Sequence, residues 1–333
     1  MCISDRDTDI PQISEFEVYK KILAAKKPNS PIPGDIPKRI IQEFPIELSV
    51  PAAILFNTAL KNLEFPSIWK KEYGIPIPKE NNPENNDQLR LISLTKFLSK
   101  TFEAFLVERI LAIVAPKLDP LQFGGMKGNS LTHNLIHLIN LILVNLDSPN
   151  PTAIMVMIID FAKAFNRMSH NRIVTIMSDM GLPGWLLKII ASYLSNRTLT
   201  VRYKDSVSTE QNMSGGSPQG TLLGVICFLI QMNDMRSLPP IPIEDALTPP
   251  GVKESSTSAK YVDDLTLAVR IKLKENLVRS ESLERPLTYH SRTEHILPED
   301  KNPMTQQMSN LLEFTEMNQM KINKEKTKIM LFN

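Results

Sequence analysis

Three aspartates carry the chemistry this sequence offers. Asp160 closes the run Ala153–Ile159, in which every residue is apolar, while Asp263 and Asp264 stand side by side between Ala259–Val262 and Leu265–Val269. If the strand end and the turn are neighbours in one sheet, three carboxylates meet at its edge. Carboxylates that close repel unless cations neutralise them. Oxygen donors of this kind suit Mg²⁺, and two such ions can serve in-line phosphoryl transfer by steadying both the attacking and the leaving oxygen. Taken singly, an Asp at a strand end and an Asp-Asp pair are ordinary turn chemistry. The elements around them, and their order, must therefore decide.

The apolar run Ala153–Ile159 has strand length and predicts a strand buried on both faces, with Asp160 at its C-terminal end. Ala259–Val262 and Leu265–Val269 predict a tight hairpin with Asp263 and Asp264 at its tip. Helical spacing recurs in Glu15–Lys26, Ser49–Leu63, Thr95–Val114, Thr132–Leu146, Ile173–Met180, Trp185–Leu194, Gln219–Met235 and Met304–Asn318. Thr198–Tyr203 alternates like a half-wet strand, and Thr327–Phe332 closes the series as a last strand. Prolines cluster in Lys27–Pro37, Gly74–Pro83 and Leu238–Gly251, which predicts loops there and a mainly helical first third. Glycine-rich turns are expected at Phe123-Gly124-Gly125 and at Ser214–Pro218.

Composition sets broad limits. A net charge of +2 neither demands nor excludes nucleic acid, but Phe161–Lys204 holds seven cations (Lys163, Arg167, Arg172, Lys188, Arg197, Arg202, Lys204) against Asp179 alone. Such a strip suits a phosphate backbone. Cys2 and Cys227 are too few for a disulfide framework or a zinc cluster. The start, Met1–Gln12, is polar, and the longest apolar runs, Leu135–Leu146 and Leu222–Met232, are too short or interrupted to span a bilayer, so an intracellular protein without a membrane partner is expected. His133 and His137 have the spacing of a metal pair, yet no Glu follows His133 and no third ligand is evident; they read as helix surface.

Three segments in order resemble motifs A, B and C of reverse transcriptases, close to the pattern of non-LTR (LINE-type) retrotransposons. They are Ile159–Arg167, Gly216–Gly224 and Tyr261-Val262-Asp263-Asp264. Ile75–Lys79 with Leu89–Leu94, Gln122–Gly125 with Lys127–Ser130, and Met320–Lys328, which looks like motif D, extend the resemblance over residues 15–333. It implies an α+β right-hand polymerase fold with an antiparallel palm sheet packed on helices. Residues 1–115 and 166–215 are expected to form mainly fingers, and 116–165 and 216–333 mainly palm. No endonuclease domain and no complete thumb are expected in the chain.

By matching position, the resemblance implies RNA-directed DNA synthesis from an RNA template, a DNA primer and dNTPs, with two Mg²⁺, or Mn²⁺ in their place, on Asp160, Asp263 and Asp264. Phe165, five residues after Asp160, takes the place of the side chain beneath the incoming sugar, where a ring leaves no room for a 2′-hydroxyl. Pro218, Gln219 and Gly220 take places against the template and nascent pair, and Tyr261 is a further substrate-binding position. Lys79 and Arg90 take those of the cations that hold the triphosphate. Lys326 is the candidate for serving the leaving pyrophosphate, with Lys321, Lys324 and Lys328 as neighbours that could replace it. Nuclear action is expected by the same resemblance. Two alternatives stay open: a non-catalytic nucleic-acid-binding relic, and an RNA-dependent RNA polymerase with the same palm.

Overall fold

The computed structural model describes residues 10–25, 32–126, 128–147, 152–237, 256–262, 264–272 and 303–332. Cys2, Lys127, Asp263 and the expected loop Leu238–Gly251 lie outside the described residues. Packing divides the chain into two units, Met1–Leu118 with Phe165–Gln231, and Asp119–Ala164 with Met232–Asn333.

The first unit opens with helices α1 (Glu15–Ala24), α2 (Lys38–Glu43) and α3 (Pro45–Asn62). Ser14 and Glu17 cap α1 reciprocally, and Pro45 starts α3 where a missing N–H is harmless. Helix α4 (Phe97–Val114) completes this layer. The core is aromatic: Phe56, Phe65, Trp69, Phe102, Phe105 and Tyr193 meet with ring centroids 5.0–6.0 Å apart.

A five-stranded sheet lies in the same unit, built from β1 (Lys71–Pro78), β2 (Leu89–Leu94), β4 (Arg197–Tyr203), β5 (Ser206–Val207) and β6 (Gln211–Met213). The expected loop at Gly74–Pro83 is thus corrected: its first half is strand. Lys79 N–H donates to the Gln88 carbonyl at 2.9 Å. By the alternation of an antiparallel ladder, Pro76 and Pro78 turn their nitrogens away from β2. On that far side the parallel pairing with β4 ends at Gly74↔Val201, so no donor is missed. Gly74 is required because a Cβ there would lie 2.8 Å from Leu91 Cδ1. Helices α6 (His170–Asp179), α7 (Gly184–Leu194) and all but the end of α8 (Leu222–Asn233) belong to this unit as well.

The second unit is a four-stranded antiparallel sheet in the order β7-β8-β3-β9, with β3 Thr152–Ile159, β7 Ser256–Tyr261, β8 Asp264–Lys272 and β9 Lys328–Phe332. β3 is central, as its unbroken apolar run requires. Helix α5 (Leu131–Leu146) lays Leu138, Leu141 and Ile142 against Ile154, Val156 and Ala268, while its row Leu131, Leu135, Ile139, Leu143 is exposed. Helix α9 (Pro303–Met317) packs beside β8. Among the described residues no helix is long and apolar enough to cross a membrane.

Candidate active site

The acidic edge belongs to the second unit. Strands β3 and β8 pair through Ile159↔Leu265, and the next step of that register sets Asp160 level with Asp264. Residues opposite each other across a ladder share a face of the sheet. Asp264 is exposed and is the first residue of β8, paired with Tyr261. The expectation of an Asp263-Asp264 tip is therefore corrected by one position: Asp264 sits in the ladder, because Tyr261↔Asp264 is its closing pair. Val262, just past that pair, is β-branched yet has φ 57°, a conformation such residues rarely adopt.

The segment expected as motif D is laced onto the end of β3. Ala162 N–H donates to the Lys321 carbonyl at 2.8 Å, Phe161 bridges Ile322, and Asn323 N–H donates to the Asp160 carbonyl at 2.8 Å. The Asn323 side chain donates from Nδ2 to Asp160 Oδ2 at 3.0 Å, fixing the carboxylate's rotamer. Thr327 closes the turn by donating both its N–H and its hydroxyl to the Asn323 carbonyl. Lys321, Lys324, Lys326 and Lys328 are all exposed, and Lys326 stands in this turn.

The first unit gathers the other expected residues. Arg90 pairs with Ile77 across the β1–β2 hairpin, and Lys79, two residues beyond Ile77, points to the same face. Both cations are exposed. Ser93 N–H donates to the Gln219 carbonyl at 3.0 Å, which ties the Pro218–Gly220 loop to β2. Gly220 has φ 108°. Phe165 is half-buried, and its ring stacks on Phe228 at 4.6 Å between centroids. Its carbonyl accepts from Ser217 N–H at 2.8 Å. A Cβ at Gly216 would lie 2.7 Å from both Asn166 Cα and the Phe165 carbonyl oxygen, so this close seam between two loops requires glycine there.

Beneath the same loop lies a polar network that local sequence did not mark. Tyr193 and Thr221 share a hydroxyl hydrogen bond of 2.8 Å, and Thr221 Oγ1 donates to the Pro218 carbonyl. The wholly buried Glu103 accepts from Leu223 N–H at the start of α8 and from the Ser99 hydroxyl. Burial pushes its carboxyl above the usual range, against the pull of those donors and of Arg197. Arg197 itself is corrected out of the basic strip. It is buried, pairs with Glu72 at 2.6 Å and lies over the Tyr193 ring. Burial also pushes the Cys227 thiol up to about 12, an inert core thiol. His137 packs against Phe123, and burial holds its pKa down.

Asn323 lay within the segment that looks like motif D, but nothing singled it out from its neighbours there. Gln122 stood out only within a resemblance. Among the described residues no three potential ligands group around a metal position; Asp263 lies outside them. The donor set that is described, carboxylate oxygens with the second oxygen of Asp160 taken by an amide, fits a hard cation such as Mg²⁺ and not a nitrogen- or sulfur-seeking metal.

The family model described as "Reverse transcriptase (RNA-dependent DNA polymerase)" matches residues 77–331. The chain is 26% identical over 261 residues to the "Probable RNA-directed DNA polymerase from transposon BS" of Drosophila melanogaster, covering 78% of this chain and 28% of that protein. To the "Probable RNA-directed DNA polymerase from transposon X-element" of the same organism it is 28% identical over 232 residues, covering 69% and 25%. To the "RNA-directed DNA polymerase from mobile element jockey", also from Drosophila melanogaster, it is 27% identical over 272 residues, covering 80% and 28%. The chain thus spans about a quarter of the length of the curated relatives it matches.

Proposed function

Because the chain belongs to the reverse transcriptase (RNA-dependent DNA polymerase) family, with its right-hand polymerase fold, we propose that it is the polymerase part of a LINE-type element and copies RNA into DNA. In this reading residues 1–115 and 166–215 are mainly fingers, and 116–165 and 216–333 mainly palm. The observation that supports it most is the register that sets Asp160 level with Asp264 at one end of the β3–β8 ladder.

Asp160 and Asp264, joined by Asp263, would hold two Mg²⁺, which supply charge stabilisation for the attacking 3′-oxygen and the leaving pyrophosphate. Everything else is work for side chains. Asn323 keeps the Asp160 carboxylate in one orientation. Arg90, with its planar fork, and Lys79 grip the triphosphate from one face of the hairpin. The Phe165 ring, braced by Phe228, closes the space a 2′-hydroxyl would need. Pro218, Gln219 and Gly220 bear on the template and the nascent pair, and Tyr261 is a further substrate-binding position. Lys326 is the proton donor or counter-charge for pyrophosphate. Template RNA, primer DNA and dNTPs are the proposed partners, and the nucleus is the proposed place of action.

Primer extension on poly(rA)/oligo(dT) with Mg²⁺, comparing dTTP with UTP, tests this. Incorporation of dTTP far above UTP is expected. No incorporation would leave a nucleic-acid-binding relic, and equal use of UTP would make the chain an RNA polymerase.

A further inference from the structure

Val262 holds its left-handed conformation inside a collar made by residues 119–124. Leu121 and Phe123, the neighbours of Gln122, both bond to Lys260: Lys260 N–H donates to the Leu121 carbonyl at 2.9 Å, and Phe123 N–H donates to the Lys260 carbonyl at 2.8 Å. Gln122 is thereby held alongside β7. Its side chain is only 3% exposed, and its Oε1 accepts from Gly124 N–H at 3.1 Å and from Val262 N–H at 3.3 Å. Gly124 has no room for a side chain, since a Cβ there would lie 2.3 Å from Val262 N. The base of the collar is fixed in turn. Asp119 pairs with the buried Lys260 ammonium at 2.5 Å and donates its N–H to Asn233 Oδ1 at 2.6 Å.

From this geometry we infer that Gln122 is a positioning residue: it holds the Val262 amide, and so sets the path of the backbone between Tyr261 and Asp264, the closing pair of the β7–β8 ladder. The inference rests on the polymerase reading above. Val262 is half-buried, and a β-branched residue with φ 57° is costly to hold, so it stays in place only while its surroundings, the Gln122 acceptor among them, hold it. Gln122 is the one described side chain that bonds to that amide. Its Nε2, which carries two N–H donors, is buried without a partner among the described residues.

The test is Gln122→Met in the full chain, which keeps side-chain length and removes the acceptor. Two readouts are taken: steady-state primer extension, and hydrogen–deuterium exchange of the peptide containing Val262. The expected result is kcat down by about tenfold or more, KM for dTTP and affinity for template–primer within about twofold of the original chain, and exchange at Val262 faster by a similar factor. A residue that only stabilises the fold would lower the yield of folded protein and leave kcat per folded molecule unchanged. Should the Met variant not fold, Gln122→Asn, which withdraws the amide by one methylene, is measured with the same expectations. Original rates of both kinds in the folded variant would overturn the inference. If the unsubstituted chain makes no DNA, the polymerase reading fails instead, and the exchange measurement still decides whether Gln122 holds the turn.

Discussion

Asn323 bonds to Asp160 twice, through its backbone N–H to the carbonyl at 2.8 Å and through Nδ2 to Oδ2 at 3.0 Å. The backbone bond docks the turn, and the side-chain bond orients the carboxylate. Asn323→Leu keeps the first and loses the second. A hydrogen bond to a charged group contributes about 1.5–3 kcal/mol, so kcat for RNA-templated dTTP incorporation is expected to fall roughly tenfold to a hundredfold. Unchanged kcat would remove Asn323 from the site.

Phe165→Val opens the space beneath the sugar and breaks the stack on Phe228. Discrimination between dTTP and UTP is expected to fall, measured as the ratio of their kcat/KM values. Loss of the ring pair adds a modest destabilisation, about 1 kcal/mol beyond the lost area. A folded variant that rejects UTP as strongly as before would return Phe165 to the role of a packing residue.

The buried pair Lys260–Asp119 predicts a stability effect. Lys260→Met strands a buried carboxylate and is expected to destabilise by roughly 3–5 kcal/mol. Adding Asp119→Leu removes the stranded charge and recovers much of the loss. Denaturant unfolding of the two variants checks this, and equal losses in both would contradict it.

Glu103 predicts a pH dependence. Its folded-state pKa is raised by burial, so the folded chain binds that proton more tightly than the unfolded one. Its contribution is therefore full below the usual carboxylate pKa and declines as pH rises through the raised value. Glu103→Gln mimics the protonated form, and the Ser99 hydroxyl can turn to accept from the new amide. The variant is expected to melt higher than the original chain at neutral pH, with the gap closing on acidification. A gap that widens in acid would reverse the sign of the argument.

What local sequence conveyed follows from what local physics controls. The unbroken apolar run of β3 could only be a strand covered on both sides, and it lies at the centre of its sheet. Strand β1 was hidden because Gly74, Pro76 and Pro78 read as a loop until the partner strands show that no N–H is needed there. Arg197 was read as surface charge because its partner, Glu72, is 125 residues away. The contacts of Asn323 and Gln122 were not legible for the same reason: their partners, Asp160 and Val262, lie 163 and 140 residues distant in the chain. The carboxylates themselves were legible through their order, and only the register of β3 with β8 sets two of them level.

The central claim is that Asp160 is part of a metal-holding carboxylate set, and Asp160→Asn tests it most directly. The substitution keeps size and leaves the Asn323 turn a partner, so folding can be matched by thermal melting. RNA-templated dTTP incorporation with Mg²⁺ is expected to drop on the order of a thousandfold. A folded Asp160→Asn chain that extends the primer at the original rate would contradict the account.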